Sequence, residues 1–128
     1  MPMITTHTTA TVTAEKKELL TKALGEAITL LPGKSEAYLM LDFIGECQKA
    51  FHGDTSLPLA FVEVKLLGRS TKAAYEALTA RICDVFEKIL DIPANGTYVK
   101  YEEVEHWGYN RFHFYKITNL FLEFLHSL

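Results

Sequence analysis

The feature that most limits the folds open to this chain is a repeat in its punctuation. Its four prolines fall in pairs: Pro2 and Pro58 at the starts of extended stretches, Pro32 and Pro93 just after helical ones. The paired positions lie 56 and 61 residues apart, and Tyr38 and Tyr98 lie 60 apart. A fixed period of this kind is the mark of one supersecondary unit used twice.

Each copy reads strand, helix, strand. Met3 to Thr13 is rich in threonine and predicts an extended, β-branched strand. Thr13 suits a helix N-cap, with Glu15 in a first turn that favours acidic residues. From Ala14 to Leu31 the residues Leu20, Ala23, Leu24, Ala27, Ile28 and Leu31 recur at helical spacing, and Pro32-Gly33 ends the run. Glu36 to Ile44 alternates, with Ala37, Leu39, Leu41 and Phe43 on one face and Tyr38, Met40 and Asp42 on the other. A loop from Gly45 to Leu57 leads into the second copy. There Leu59 to Leu67 alternates again, and Ser70 or Thr71 caps a helix to Leu90 striped by Ala74, Leu78, Ile82, Val85, Phe86 and Ile89. Pro93 stops that helix, Asn95-Gly96 turns, and Thr97 to Val104 is the fourth strand.

Parallel strands joined by a helix take a right-handed crossover. Two such units predict an α/β (α+β) fold: one four-stranded sheet with both helices on one face. The other face would carry Met3, Tyr38, Met40, Phe61, Leu67 and Tyr98. That is more apolar surface than a monomer usually leaves wet, so self-association is expected. The last stretch, Phe112 to Leu128, places Ile117, Leu120, Phe121, Phe124, Leu125 and Leu128 on one helical stripe. It predicts a C-terminal amphipathic helix docked on protein. The division expected is a domain over residues 1–110 and an extension over 111–128.

Composition narrows the function. A chain of 128 residues is one domain, and 48% hydrophobic residues supply a core. A net charge of −3 without a basic stripe argues against nucleic acid. No signal peptide or membrane-length apolar run is present, so no membrane partner is expected. Cys47 and Cys83 read as reduced thiols, and the expected location is the cytoplasm, with leaderless secretion left open. Gly33-Lys34-Ser35 resembles a phosphate loop, but Ile28 stands where the first glycine belongs and the order is helix before strand, the reverse of what is required. The five histidines contain no i, i+4 pair with a carboxylate, and no serine or cysteine has a nucleophile's surroundings. No cofactor or metal is expected.

One chemical group remains. If Met1 is cut off, Pro2 becomes an N-terminal secondary amine, able to take a proton near neutral pH, where α-amino groups titrate at about 7.7–8.0. Burial would lower that value. Otherwise Pro2 merely starts a strand, where its missing N–H costs nothing. Lys34 sits near the start of the strand expected to run parallel to the first, so the two can meet at one sheet edge, walled by Tyr38 and Met3.

These residues resemble the tautomerase superfamily, and within it the macrophage migration inhibitory factor family. The resemblance runs from Pro2 to about Asn110. It is carried by Met1-Pro2-Met3, Gly33-Lys34 followed by Tyr38, Ala50-Phe51 with Gly53, Leu66-Leu67-Gly68, Thr97-Tyr98-Val99-Lys100-Tyr101 and Trp107-Gly108-Tyr109-Asn110. It implies a homotrimer with sites at subunit boundaries. It also implies Pro2 as the catalytic base, Lys34 as the lysine that binds a substrate carboxylate, Leu67 as a backbone donor to it, and Tyr98 as the neighbouring subunit's tyrosine. Lys100 departs from the family's asparagine beside the site, and Lys65 from a frequent histidine. Leu59 and Val62 stand where cytokine members carry a Cys-x-x-Cys. The function implied is keto–enol tautomerisation of small α-keto acids of the phenylpyruvate type. A non-catalytic trimeric binding protein of the same kind is the alternative, with a ferredoxin-like ligand-binding module as a third. A parallel sheet order is expected to separate the first reading from the mixed order of the third.

Overall fold

The computed structural model describes residues 1–118. Its elements in chain order are β1 (Pro2–Thr8), α1 (Ala14–Ala27), β2 (Met40–Ile44), β3 (Ala60–Leu67), α2 (Lys72–Leu90), β4 (Thr97–Val104), β5 (His106–Tyr109) and β6 (Phe112–Tyr115). Both helix starts are set by local chemistry. The Thr13 hydroxyl accepts the Lys16 N–H at 3.2 Å and the Thr71 hydroxyl accepts the Ala74 N–H at 3.1 Å, so each helix starts on a side-chain cap. Helix α2 ends at Asp91, which turns left-handed with φ 56°, two residues before the proline expected to stop it.

β1 runs parallel to β2, and β3 parallel to β4, as the repeated unit requires. The two units then join along an antiparallel seam between β1 and β3, giving the order β2-β1-β3-β4. The expected parallel sheet order is therefore corrected: the sheet is mixed. What sets it apart from the ferredoxin-like alternative is adjacency, because in a split βαβ another strand comes between the parallel pair, and here none does.

Both helices pack on one face. Ile4, Val62, Val64 and Leu66 of the sheet meet Leu20, Leu24, Ile28, Leu78, Ile82 and Phe86 of the helices, all fully buried. The open face is built of three rungs. Met40, Met3, Lys65 and Glu102 lie side by side; then Asp42, Thr5, Glu63 and Lys100; then Ile44, His7, Phe61 and Tyr98. It is thus less apolar than expected, because the alternation that exposes Met40 and Tyr98 exposes the charges between them. Lys65 lies 3.6 Å from Glu63 and Lys100 3.6 Å from Glu102. Leu67 is buried, and Tyr38 leaves the sheet altogether: Glu36–Tyr38 forms a short 3₁₀ turn before β2.

The tail also differs. Phe112–Tyr115, expected as the start of a helix, is instead β6, antiparallel to β5. Asn110 and Arg111 between them both have positive φ, 51° and 70°, the pattern of a tight primed hairpin turn. The hairpin places His106 Nδ1 2.9 Å from His113 Nε2. The rest of the expected helical stripe, from residue 119 on, lies outside the described residues. None of the helices described is long and apolar enough to cross a membrane.

One buried group is left without a partner. Thr6, fully buried on the core face of β1, has a hydroxyl with no hydrogen-bond partner among the described residues. Thr6→Val is therefore expected to raise stability by about 1 kcal/mol, because it removes a desolvated polar atom while keeping the shape. Urea denaturation checks this; a clear loss of stability would mean that the hydroxyl is bonded after all.

Candidate functional site

The antiparallel seam sets Pro2 opposite Leu66, so the start of the chain lies against the Leu66-Leu67-Gly68 end of β3. The Leu67 N–H donates to the Met1 carbonyl at 3.3 Å. Helix α1 gives way to a short 3₁₀ turn and then to Pro32-Gly33, where Gly33 takes φ 81°. That conformation suits a residue without a Cβ. The Lys34 N–H closes the turn on the Leu31 carbonyl at 3.0 Å, and the side chain reaches back so that Nζ donates to the Leu67 carbonyl at 3.1 Å. Met1, Pro2, Lys34 and Leu67 are thus brought together at one sheet edge, as expected for Pro2 and Lys34.

The α-amino group at that edge is unusual. Its pKa falls from 8.0 to about 6, first through burial, then through the Lys34 charge, a hydrogen bond from Lys34, and the Lys116 charge. Lys34 itself is lowered by burial and by Lys116, and is held up in part by its hydrogen bond to the amine. The consistent picture is a neutral amine accepting from the Lys34 ammonium. A neutral amine beside a fixed cation, partly out of water, can accept a proton from carbon and anchor an anion. With Met1 in place that amine is Met1's; the nitrogen of Pro2 lies in a peptide bond.

The other expected site residues are dispersed. Tyr38 sits edge-on to Tyr109, ring centroids 5.9 Å apart. Met3 lies on the open face between Met40 and Lys65. Tyr98 pairs across from Phe61, five residues of β3 from Leu66 and so about 16 Å from Pro2 along the strand. Its ring, 62% exposed, stands edge-on to Phe51 at 5.6 Å and lines a cavity of about 260 Å³ with Phe51, Phe61, Leu59 and Asn95. Lys100 lies opposite Glu63, nearer but still about 10 Å along β3 from Leu66. Neither reaches Pro2 within one protomer. A larger groove of about 840 Å³, between Thr9, Cys47, Ser56 and Leu90, lies at the far end of β1 from Pro2.

Sequence reasoning missed Lys116. It follows β6, and its N–H donates to the Glu105 carbonyl at 2.9 Å. The signal that would have found it is the alternation of Phe112 to Tyr115 after Asn110, obscured because Arg111 stands where a hairpin usually has glycine.

Similarity to known proteins agrees with this geometry. The family model for macrophage migration inhibitory factor (MIF) matches residues 1–111. The chain belongs to the macrophage migration inhibitory factor family. Among MIF relatives, the Xenopus laevis factor is 29% identical over 85 residues, which is 66% of this chain and 70% of that protein. The crystal structure of Leishmania major MIF2 superposes with a TM-score of 0.83 at 30% identity, covering 89% of this chain and 97% of that one. A MIF homologue from Prochlorococcus marinus gives 0.74 at 28%, covering 88% and 98%. The MIF match ends at 111, so Lys116 lies beyond it.

The α-amino group offers a direct check. In protein that keeps Met1, it is expected to titrate at about 6. Lys34→Met should move it upward, because the substitution removes both a like charge and a donor to the neutral form. Acylation rate of the N-terminus against pH reads both values; an unchanged profile in the variant would disconnect Lys34 from the amine.

Proposed function

We propose that the chain, once Met1 is removed, is a cytoplasmic homotrimeric keto–enol tautomerase of small α-keto acids such as phenylpyruvate, with Pro2 as its base. The observation that carries this is what Met1 occupies. Its carbonyl takes the Leu67 N–H at 3.3 Å, and its amine lies where the Lys34 charge lowers its pKa. Removing Met1 frees a backbone donor and an ammonium at the same moment that Pro2 acquires an amine between them. Two donors and a neutral base are what a carboxylate with an adjacent ketone and C–H requires.

In this reading Lys34 and the Leu67 N–H hold the carboxylate, which places the C–H beside the carbonyl within reach of the proline nitrogen. The nitrogen takes that proton, the C–H electron pair becomes the C=C bond, and the carbonyl π pair moves to oxygen. The prolinium returns its proton to that oxygen, so the enol has the formula of the ketone and the amine ends neutral. Tyr98, remote from Pro2 in its own protomer, serves the site of a neighbour, with Phe51 as an aromatic wall. Met3 and Tyr38 flank the site, and Lys100 stands at its rim. Pro2 is more deeply buried than Met1, so its amine is expected to be held low by the same causes.

The test starts with mass spectrometry of the N-terminus and turnover of phenylpyruvate. Processed protein should be active and protein blocked before Pro2 inactive; equal rates would remove Pro2 as base and favour a non-catalytic binding protein. The rate should fall as pH drops through the proline pKa, because only the neutral amine accepts a proton. Lys34→Ala should raise KM about ten- to hundredfold with a smaller change in kcat, since a charge-assisted bond of about 1.5–3 kcal/mol is present in both ground and transition states. Light scattering should give three times the 14.5 kDa chain; a monomer would leave Tyr98 without a site to complete.

A further inference from the structure

The side chain of Lys116 crosses the backbone at Gly68, the residue after Leu67. A Cβ built on Gly68 would lie 3.1 Å from Lys116 Cδ and 3.5 Å from its Cβ, so the lysine fills the place where a side chain would stand. Gly68 is held there by its own N–H, which donates to the Val104 carbonyl at 2.8 Å, and takes φ 82°. Lys116 is fixed from the other side by its bond to the Glu105 carbonyl. The two anchors are neighbours in sequence, Val104 and Glu105, so the lysine is tied to the same strand end as Gly68. Gly68, Tyr115, Lys116 and Ile117 border a cavity of about 500 Å³ that also includes Arg69.

Lys116 and Lys34 therefore approach the Leu67-Gly68 backbone together, Lys34 through the Leu67 carbonyl and Lys116 across Gly68. Among the described residues neither forms an ion pair with a carboxylate. The acidic side chains nearby are engaged elsewhere: Glu105 accepts from the Thr118 hydroxyl at 3.2 Å, and Glu103 from the Tyr75 hydroxyl at 2.5 Å. Each ammonium lowers the α-amine, and Lys116 lowers Lys34 as well. Two like charges gathered beside a partly buried amine are unfavourable until an anion joins them.

We infer that Lys116 binds a second anionic group of the ligand, so that the site prefers small dicarboxylic acids, and among α-keto acids the dicarboxylic ones, over monocarboxylic ones. The binding half stands on the two lysines alone; the α-keto half rests on the tautomerase reading.

Calorimetric titration of the processed full-length protein separates the two halves. The probes are malonate, succinate and glutarate, which differ only in the spacing of two carboxylates, with butyrate as the single-charge control. At least one diacid is expected to bind tenfold or more tightly than butyrate. Lys116→Gln should bring that diacid to the butyrate level and weaken butyrate far less, while Lys116→Arg retains the preference. In turnover, Lys116→Gln should raise KM for oxaloacetate about ten- to hundredfold and that for phenylpyruvate at least fivefold less. Diacids that bind no better than butyrate, or a Lys116→Gln loss equal for both charge types, would overturn the inference. Selective diacid binding without turnover of either keto acid would sustain the inference and sink the tautomerase reading. Turnover of phenylpyruvate with no diacid preference would do the reverse.

Discussion

Seven residues of β1 lie in antiparallel register against β3, and the place of Pro2 at the end of β3 follows from that seam. A parallel arrangement of the two units would have put Pro2 beside the start of β3, near Ala60. The antiparallel one puts it beside the end, where Leu66, Leu67 and Gly68 leave the sheet. The end of a strand offers backbone groups that no partner strand uses. Here the Leu67 carbonyl holds Lys34 and the Leu67 N–H holds Met1. The same seam carries the core, because Ile4 and Thr6 face Val64 and Val62 beneath the helices. Pro2 shares the core face of β1 with Ile4 and Thr6, so the site sits at the open end of the core rungs.

The electrostatics of the chain start are set by burial first and by Lys34 second. The order matters. A surface cation would act on the amine through water, weakly and in a salt-dependent way. Partial burial removes water from between them, so the same charge counts for more, and it penalises the protonated amine in its own right. Lys34 can stay protonated in this setting because the Leu67 carbonyl and the neutral amine both accept from it. The amine is held low by burial first and by the Lys34 charge second.

Much of this was legible in the sequence. The paired prolines disclosed the repeated unit, and the two helical stripes named the buried residues of α1 and α2 nearly one for one; the Tyr38–Tyr98 pairing does not hold, since Tyr38 lies in a 3₁₀ turn and Tyr98 in β4. The approach of Lys34 to the chain start followed from parallel pairing of β1 with β2. What was hidden depended on long-range geometry. Nothing local tells an antiparallel seam from a parallel one, since the loop from Gly45 to Leu57 can serve either. Tyr38 fits an alternating strand by pattern and is drawn into a 3₁₀ turn by the Leu39 N–H bonding to the Glu36 carbonyl at 3.1 Å. Phe112 to Tyr115 fits both periods, four residues being too few to separate them. With that stretch read as helix, Lys116 fell on a solvated face, far from the amine it in fact approaches.

The place of Met1 decides what such a site can be. As long as it remains, the amine is primary, the Leu67 N–H is taken, and Lys34 is directed at the chain's own terminus. The first residue then occupies the Leu67 N–H with its own carbonyl. Removing one residue changes none of the core contacts, because Met1 precedes β1 and the strand begins with Pro2. It does change two properties of the chain start together: the terminal amine becomes a rigid secondary one, and the N–H of Leu67 is released. Proline suits the second position on both counts. It carries no N–H for the sheet edge to miss, and its nitrogen becomes a base only when the residue before it is gone.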